Sequence, residues 1–197
     1  MSAGRVAVGS PVAADFEVGR PQRRCYTRDD QPRFEPSAGR AGARGGEVVI
    51  RAAGEPAPIP TAFLDLVECP PVAALTTIMP DGSPQTSVVW CDFDGGFVRV
   101  NTMRGFRKEK NMRANPRVTL LCFDPARPLR SLEIRGLVEE MTEEGASVHL
   151  DGLSLKYTGL APYFGRCIPE EFKASETPVL CRIRPTRIVT LDCEEPR

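Results

Sequence analysis

Residues 72–102, VAALTTIMPDGSPQTSVVWCDFDGGFVRVNT, hold three apolar, β-branched runs separated only by Asp81-Gly82 and Gly95-Gly96. Both dipeptides tolerate the positive φ of a tight β turn, and neither leaves room for the long crossover that parallel strands require. The runs therefore read as an antiparallel meander near 72–79, 85–93 and 97–102. A chain that begins its packed part this way is committed to a curled antiparallel sheet.

The remaining pattern agrees. RVTLLCFD at 117–124 reads as a buried strand, and RSLEIRGLVEEM at 130–141 alternates Leu132, Ile134 and Val138 with polar neighbours, the period of a long half-buried strand. Gly136 within it predicts a bend or bulge. PVLCRIRPTRIVTLD at 178–192 predicts two further strands around Arg184-Pro185.

Helices are few. Phe63, Leu64 and Val67 follow Pro60-Thr61 at helical spacing, and a polar helix is predicted over 105–114, ended by Asn115-Pro116. The clearest helix lies in TEEGASVHLDGLSLKYTG, where Thr142 can cap, Glu143 and Glu144 complement the positive end, and Ala146, Leu150, Leu153 and Tyr157 share a face. Lys156 lies in its last turn and Gly159 ends it. The expected fold is mainly β: a small closed or split barrel of six to seven mostly antiparallel strands with two or three helices.

Composition narrows the function. With 26 basic and 26 acidic side chains, the chain has no broad field to attract a polyanion, and no nucleic-acid partner is expected. No apolar run approaches the about 20 residues of a membrane span, and no secretory leader is apparent, so a cytoplasmic setting is expected. The seven cysteines include no CxxC pair and several sit in apolar strands, which suits small buried hydrophobes better than disulfides or zinc ligands. The lone His149 has no ligand partners at metal spacing, so no metal is expected. Residues 1–59 carry nine Arg, no Lys and much Gly, Ala and Pro without apolar period, and read as a disordered extension. The packed domain is expected over 60–193, with a short tail at 194–197.

One stretch breaks the charge balance. Between Arg104 and Arg117 lie six basic residues and one acidic one. A strand ends at Thr102, a glycine turn follows, and Arg107 and Lys108 enter the first helical turn, where unpaired N–H groups favour negative charge. That arrangement reads as a phosphate or carboxylate cradle, with Asn101 and Thr102 as neutral donors. It reads equally as a solvated basic helix face.

The order of VNTMRGFRKEKNMRANPRVTLLC, LEIRGLVEEMTEEGA and KYTG, behind VAALTTIMPDGSPQTSVVWCDFDGG, resembles the flavin-binding split-barrel family that includes pyridoxamine 5′-phosphate oxidases. It is most similar to the branch that uses the deazaflavin coenzyme F420. The resemblance covers about 62–190. It implies that Thr102, Arg107 and Lys108 stand where the oxidases hold the flavin phosphate, that Asn111 sits against the cofactor with Lys108, and that Gln85, Ser87 and Val89 line the ring. Ser131 stands where the oxidases carry a glutamine near the ring, and Cys91 where they carry a phosphate-binding lysine. The oxidase substrate-binding C-terminus is missing, so a true pyridoxamine phosphate oxidase is not expected.

The resemblance further implies a homodimer with cofactor sites between subunits. No nucleophile elbow, triad or carboxylate-pair motif is present, whereas redox chemistry needs none of them. The expected function is hydride transfer between reduced coenzyme F420 and a small organic acceptor, with no catalytic residue singled out. Tyr157 and Tyr163 are phenols that could give a proton or simply pack. An FMN-dependent oxidase or reductase, and a non-catalytic cofactor- or haem-binding protein, are the alternatives.

Overall fold

The computed structural model describes residues 54–69 and 72–193. Most of the expected N-terminal extension and the tail at 194–197 lie outside the described residues. The chain enters through a 3₁₀ turn, Thr61–Phe63, and a short helix α1, Asp65–Glu68. It continues through β1 (Val72–Ile78), β2 (Pro84–Val89), β3 (Cys91–Phe93), β4 (Val98–Met103), α2 (Arg107–Ala114), β5 (Arg117–Asp124), β6 (Arg127–Thr142), α3 (Ala146–Thr158) and β7 (Pro178–Asp192). Two short turns, Tyr163–Cys167 and Glu170–Ala174, join α3 to β7.

All seven strands form one sheet in the order β2-β1-β5-β6-β7-β4-β3, with antiparallel neighbours throughout. The two edge strands, β2 and β3, are consecutive in the chain and separated only by Trp90. The sheet must therefore curl until its edges nearly meet, which makes a split barrel. This corrects the single strand expected over 85–93: at Trp90 the chain leaves one sheet edge and starts the other. The apolar run crosses that point without a breaker, so periodicity alone cannot mark it.

Alternation then fills the interior. Ala73 and Leu75 of β1, Val118, Leu120 and Cys122 of β5, Leu132, Ile134 and Val138 of β6, and Val179, Cys181 and Ile183 of β7 are buried in one core. Leu66 and Val67 of α1 enter the core near the start of β6, where Arg130 donates to both Asp65 carboxylate oxygens at 2.8 and 2.7 Å. Met112 of α2 enters it from the side of β1 and β4. The end of the expected extension touches the barrel as well: the Ala57 amide donates to the Pro185 carbonyl at 2.9 Å, and Ile59 packs on the core.

Two expectations about β6 and β7 change. The segment 178–192 is one strand rather than two; it passes Pro185 by a bulge, since Arg135 pairs with Arg187 while Gly136 pairs with Pro185. Thr186, the extra residue, donates its hydroxyl to the Arg135 carbonyl at 3.0 Å. Thr142, expected to cap a helix, is instead the last residue of β6, and its hydroxyl accepts from the Glu144 amide at 3.1 Å. Gly145, at φ 70°, turns the chain into α3.

Gly136 is where the bulge bears on sequence. A Cβ there would lie 2.6 Å from Ile183 Cγ2 and 2.8 Å from the Arg184 carbonyl oxygen, backbone that cannot withdraw without breaking the β6–β7 ladder. Gly136→Ala is expected to lower unfolding free energy by about 2–3 kcal/mol, read by chemical denaturation. An unchanged midpoint would show that the strands can part there at little cost.

Candidate functional site

Curling brings three distant segments around one groove of about 460 Å³. Val88, Val89 and Trp90 come from the strand crossing, Asn101, Thr102 and Met103 from the end of β4, and Phe106 and Lys108 from the entry to α2. Leu150 and Leu153 of α3, with Tyr163 and Phe172 from the following turns, supply the remaining wall. Trp90 is held against it by stacking on Tyr157, with ring centroids 5.3 Å apart, and by an edge contact to Tyr163 at 6.0 Å.

The polar groups of this region are unusual in a specific way. Among the described residues, the buried side-chain polar atoms that lack a hydrogen-bond partner are Ser87 Oγ, Asn101 Oδ1, Thr102 Oγ1 and Asn111 Oδ1. Leaving such an atom unpaired costs about 1–3 kcal/mol, so four together in a small domain call for a ligand or bound water. Asn101 and Thr102 line the groove, Ser87 lies on the inward side of β2 beside Val89, and Asn111 is one helical turn beyond Lys108. A second concavity of similar volume, about 460 Å³, on the outer sheet face between Thr76, Thr119 and Arg135, holds none of these atoms.

The basic stretch divides into structural and available charges. Arg104 pairs with Glu143, and Arg113 with Glu109. Glu109 is itself buried and accepts from the Gly105 amide at 3.1 Å, so it ties down the turn before α2. Arg107, expected beside the phosphate, is exposed and does not line the groove; helix periodicity turns it away as it turns Lys108 inward. Lys108 is the groove's cation. It is half-buried, its ammonium lies 5.9 Å from the Phe106 ring centroid, and burial lowers its pKa from the ordinary 10.5.

Other expected site residues are placed differently. Gln85 and Asn111 meet at Thr77, away from the groove: the Asn111 Nδ2 donates to Thr77 Oγ1 at 3.0 Å, and that hydroxyl donates to Gln85 Oε1 at 3.1 Å. Asn111 is thus buried beneath a relay. Ser87 and Val89 turn inward on β2, and only Val89 lines the groove. Ser131 pairs with Phe123 and Leu191 on the outer sheet face and does not line the groove within this chain. Cys91 is fully buried in the core.

Asn101, expected as a donor, has its amide nitrogen already engaged, at 2.8 Å from the Ala146 carbonyl and 3.3 Å from His149 Nδ1. His149 Nε2 lies 3.2 Å from Asp92 Oδ1, and Arg99 donates to Asp92 at 2.8 and 2.6 Å. Burial of Asp92 would raise its pKa, but the contacts from His149 and Arg99 overcome it and bring the carboxyl down to about 2. Sequence reading missed this cluster, together with Phe106 and Phe172 of the groove wall, because its members are scattered over three elements, β3, β4 and α3.

The two phenols differ. Tyr157 accepts from the Cys91 amide at 3.0 Å and donates to the Cys91 carbonyl at 3.1 Å, and burial pushes its pKa well up. It is a clasp on β3. Tyr163 lines the groove, and burial raises its pKa as well, so it stays protonated at neutral pH.

No three His, Cys, Asp or Glu side chains group as a metal site among the described residues, and no helix there is long and apolar enough to cross a membrane.

Comparison with known proteins gives a consistent set. A family model described as pyridoxamine 5′-phosphate oxidase matches residues 59–191. A solved F420 reductase is 32% identical, with 66% of this chain and 98% of that one covered at a TM-score of 0.58. A conserved hypothetical protein, Rv2991 from Mycobacterium tuberculosis, is 26% identical, with 73% and 90% covered and a TM-score of 0.54. A search of curated proteins gave no match.

Two measurements test the site. An anion in the groove would face Lys108, so its affinity should hold at neutral pH and fall as pH rises through the depressed lysine value, below 10.5. Lys108→Ala should remove this alkaline limb and weaken binding by about 1.5–3 kcal/mol, whereas Arg107→Ala should change it by less than about 0.5 kcal/mol, both by titration. Separately, Asp92 has its folded pKa depressed from 3.8 to about 2, so its contribution is present above 3.8 and lost as pH falls towards 2. Asp92→Asn should cost about 2 kcal/mol at neutral pH and converge on wild type in acid, as denaturant midpoints would show.

Proposed function

Because the chain belongs to the pyridoxamine 5′-phosphate oxidase family, we propose that it is a coenzyme F420-dependent oxidoreductase, passing a hydride between the reduced deazaflavin and a small organic acceptor. The observation that carries this reading is the coincidence of a half-buried cation, Lys108, with orphaned polar atoms of Asn101 and Thr102 in one aromatic-walled groove. That set of one cation, a hydroxyl and an amide oxygen fits a group with a phosphate, hydroxyls and a flat ring.

Lys108 would hold the phosphate with the Thr102 hydroxyl, and Trp90, Tyr163 and Phe172 would keep water from one side of the ring. When bound, the deazaflavin supplies the hydride. Tyr163 holds a phenolic proton on the groove wall, the place from which an acceptor could be protonated. Tyr157, locked to the Cys91 backbone, has no such role.

Two features support the deazaflavin over FMN. A terminal phosphate rewards a tight ring of charged donors, and Cys91, in the place of the family's phosphate-binding lysine, is sealed in the core. Arg107 and Lys110, exposed on the helix that carries Lys108, leave basic charge outside the groove that suits the acidic chain continuing beyond the phosphodiester of coenzyme F420.

A homodimer and a cytoplasmic setting are part of the proposal. Val88, Ala74, Leu121, Glu133 and Val189 form one row across five strands on the outer sheet face, with Val88 72%, Leu121 39% and Val189 40% exposed. Its exposed Val88, Leu121 and Val189 suit a second copy, and Ser131 lies on the same face. The buried thiols of Cys91, Cys122 and Cys181 suit a reducing compartment.

Equilibrium titration at physiological ionic strength should give tighter binding for coenzyme F420 than for FMN, with the gap narrowing as salt rises. Mixing with reduced deazaflavin and an electron-poor alkene should oxidise the coenzyme. FMN affinity equal to or above that for the deazaflavin, together with FMN-dependent turnover, would select the flavin enzyme. Tight binding without turnover would select a carrier.

A further inference from the structure

Donor and acceptor identities around Asn101 leave little freedom. An amide nitrogen only donates, so His149 Nδ1, 3.3 Å from Asn101 Nδ2, must accept. The neutral ring then carries its proton on Nε2 and gives it to Asp92 Oδ1 at 3.2 Å, while Arg99 fills that carboxylate from the other side. The other Asn101 N–H goes to the Ala146 carbonyl at 2.8 Å. A flipped amide would set oxygen against oxygen there, so the orientation is determined. The side chain's one remaining polar atom is Oδ1, buried, unpartnered and carried by a residue of the groove wall.

We propose that Asn101 is the groove's acceptor for a hydroxyl of a polyol phosphate, and that His149 and Asp92 are positioning residues that hold its amide in that sense. The inference rests on the reading of the groove as a phosphate-bearing cofactor site, and it divides that groove in two. Lys108 and Thr102 form the anion end. Asn101, showing a lone pair, repels an anion and rewards a neutral O–H. A phosphate on a plain alkyl chain leaves Oδ1 buried and unpaired, whereas a polyol phosphate satisfies it, so selectivity for hydroxylated chains follows.

His149 is the only histidine in the chain, which makes the test direct. Heteronuclear NMR of the imidazole nitrogens in the full chain, without ligand and at a pH where the ring is neutral, should show the Nε2–H tautomer. The Nδ1–H tautomer would overturn the proposal. Binding is then measured with three probes: ribitol phosphate, pentyl phosphate and inorganic phosphate. Wild type should prefer ribitol phosphate to pentyl phosphate by about five- to tenfold. Asn101→Leu should abolish that preference without weakening inorganic phosphate binding, whereas Lys108→Ala should weaken all three.

His149→Phe should behave as Asn101→Leu does, and His149→Asn, whose amide oxygen can replace the Nδ1 acceptor, should recover part of the preference. Should His149→Phe fail to fold, Asn101→Leu decides alone. A wild type blind to the hydroxyls, or an Asn101→Leu variant that loses inorganic phosphate as well, overturns the proposal. Coenzyme F420 or FMN binding that ignores Asn101 would sink this inference and leave the cofactor reading standing. Hydroxyl selectivity in a protein that binds neither cofactor would do the reverse.

Discussion

The closure of the sheet at Trp90 and Cys91 is the constraint on which the rest depends. One residue separates the two edge strands, so the curl of all seven strands is enforced where the chain crosses from β2 to β3. Tyr157 secures the crossing by taking both the amide and the carbonyl of Cys91 on one hydroxyl, which pairs backbone groups that a three-residue edge strand would otherwise leave open. Because Tyr157 belongs to α3, the same contact fixes that helix against the barrel. The groove is a by-product of this closure: its walls come from the crossing, the end of β4, the entry to α2 and the face of α3.

Charge in the groove is more economical than the sequence suggests. Arg104 and Arg113 are neutralised by Glu143 and Glu109, and burying Glu109 makes sense only because Arg113 and the Gly105 amide satisfy it. These pairs shape the turn and helix that deliver Lys108. One half-buried ammonium in partly desolvated surroundings can do more for an anion than several exposed ones, whose contacts water and salt screen. The orphaned oxygens of Asn101 and Thr102 are the complementary cost, placed in the groove wall where a ligand can offset it.

A second polar assembly holds the outer side of β3 and β4 to α3. Arg99, Asp92, His149 and Asn101 lie in one chain of contacts, and the strongly acidic Asp92 carboxyl is its centre. Structure and site are joined at Asn101, since the residue that anchors α3 through its nitrogen also stands in the groove wall. Rigidity in the wall is therefore set by packing on the far side of the sheet, which is how a supporting shell holds a binding group in place.

Much was legible from local pattern. Period-two alternation and glycine turns determined the strands, and the inward residues follow from strict alternation on a sheet with one buried face. Gly136 announced its bulge. The residue types at 85–89, 101–111 and 131 resembled a cofactor family, and the family model confirms that membership. Ser87, Asn101, Thr102 and Asn111, four of the nine residues expected to hold the cofactor, carry the orphaned atoms. Local pattern could not show that Trp90 parts two strands at opposite sheet edges or that β7 runs on past Pro185, because each depends on which strand lies alongside. Nor could it tell which groups were already engaged: Asn101 lost its donor to Ala146 and His149, 45 and 48 residues away, Arg104 lost its charge to Glu143, and Asn111 was drawn under Thr77. Residue type and spacing determine what chemistry a side chain can perform, but hydrogen bonds saturate, and only the tertiary structure decides which donors and acceptors remain for a ligand.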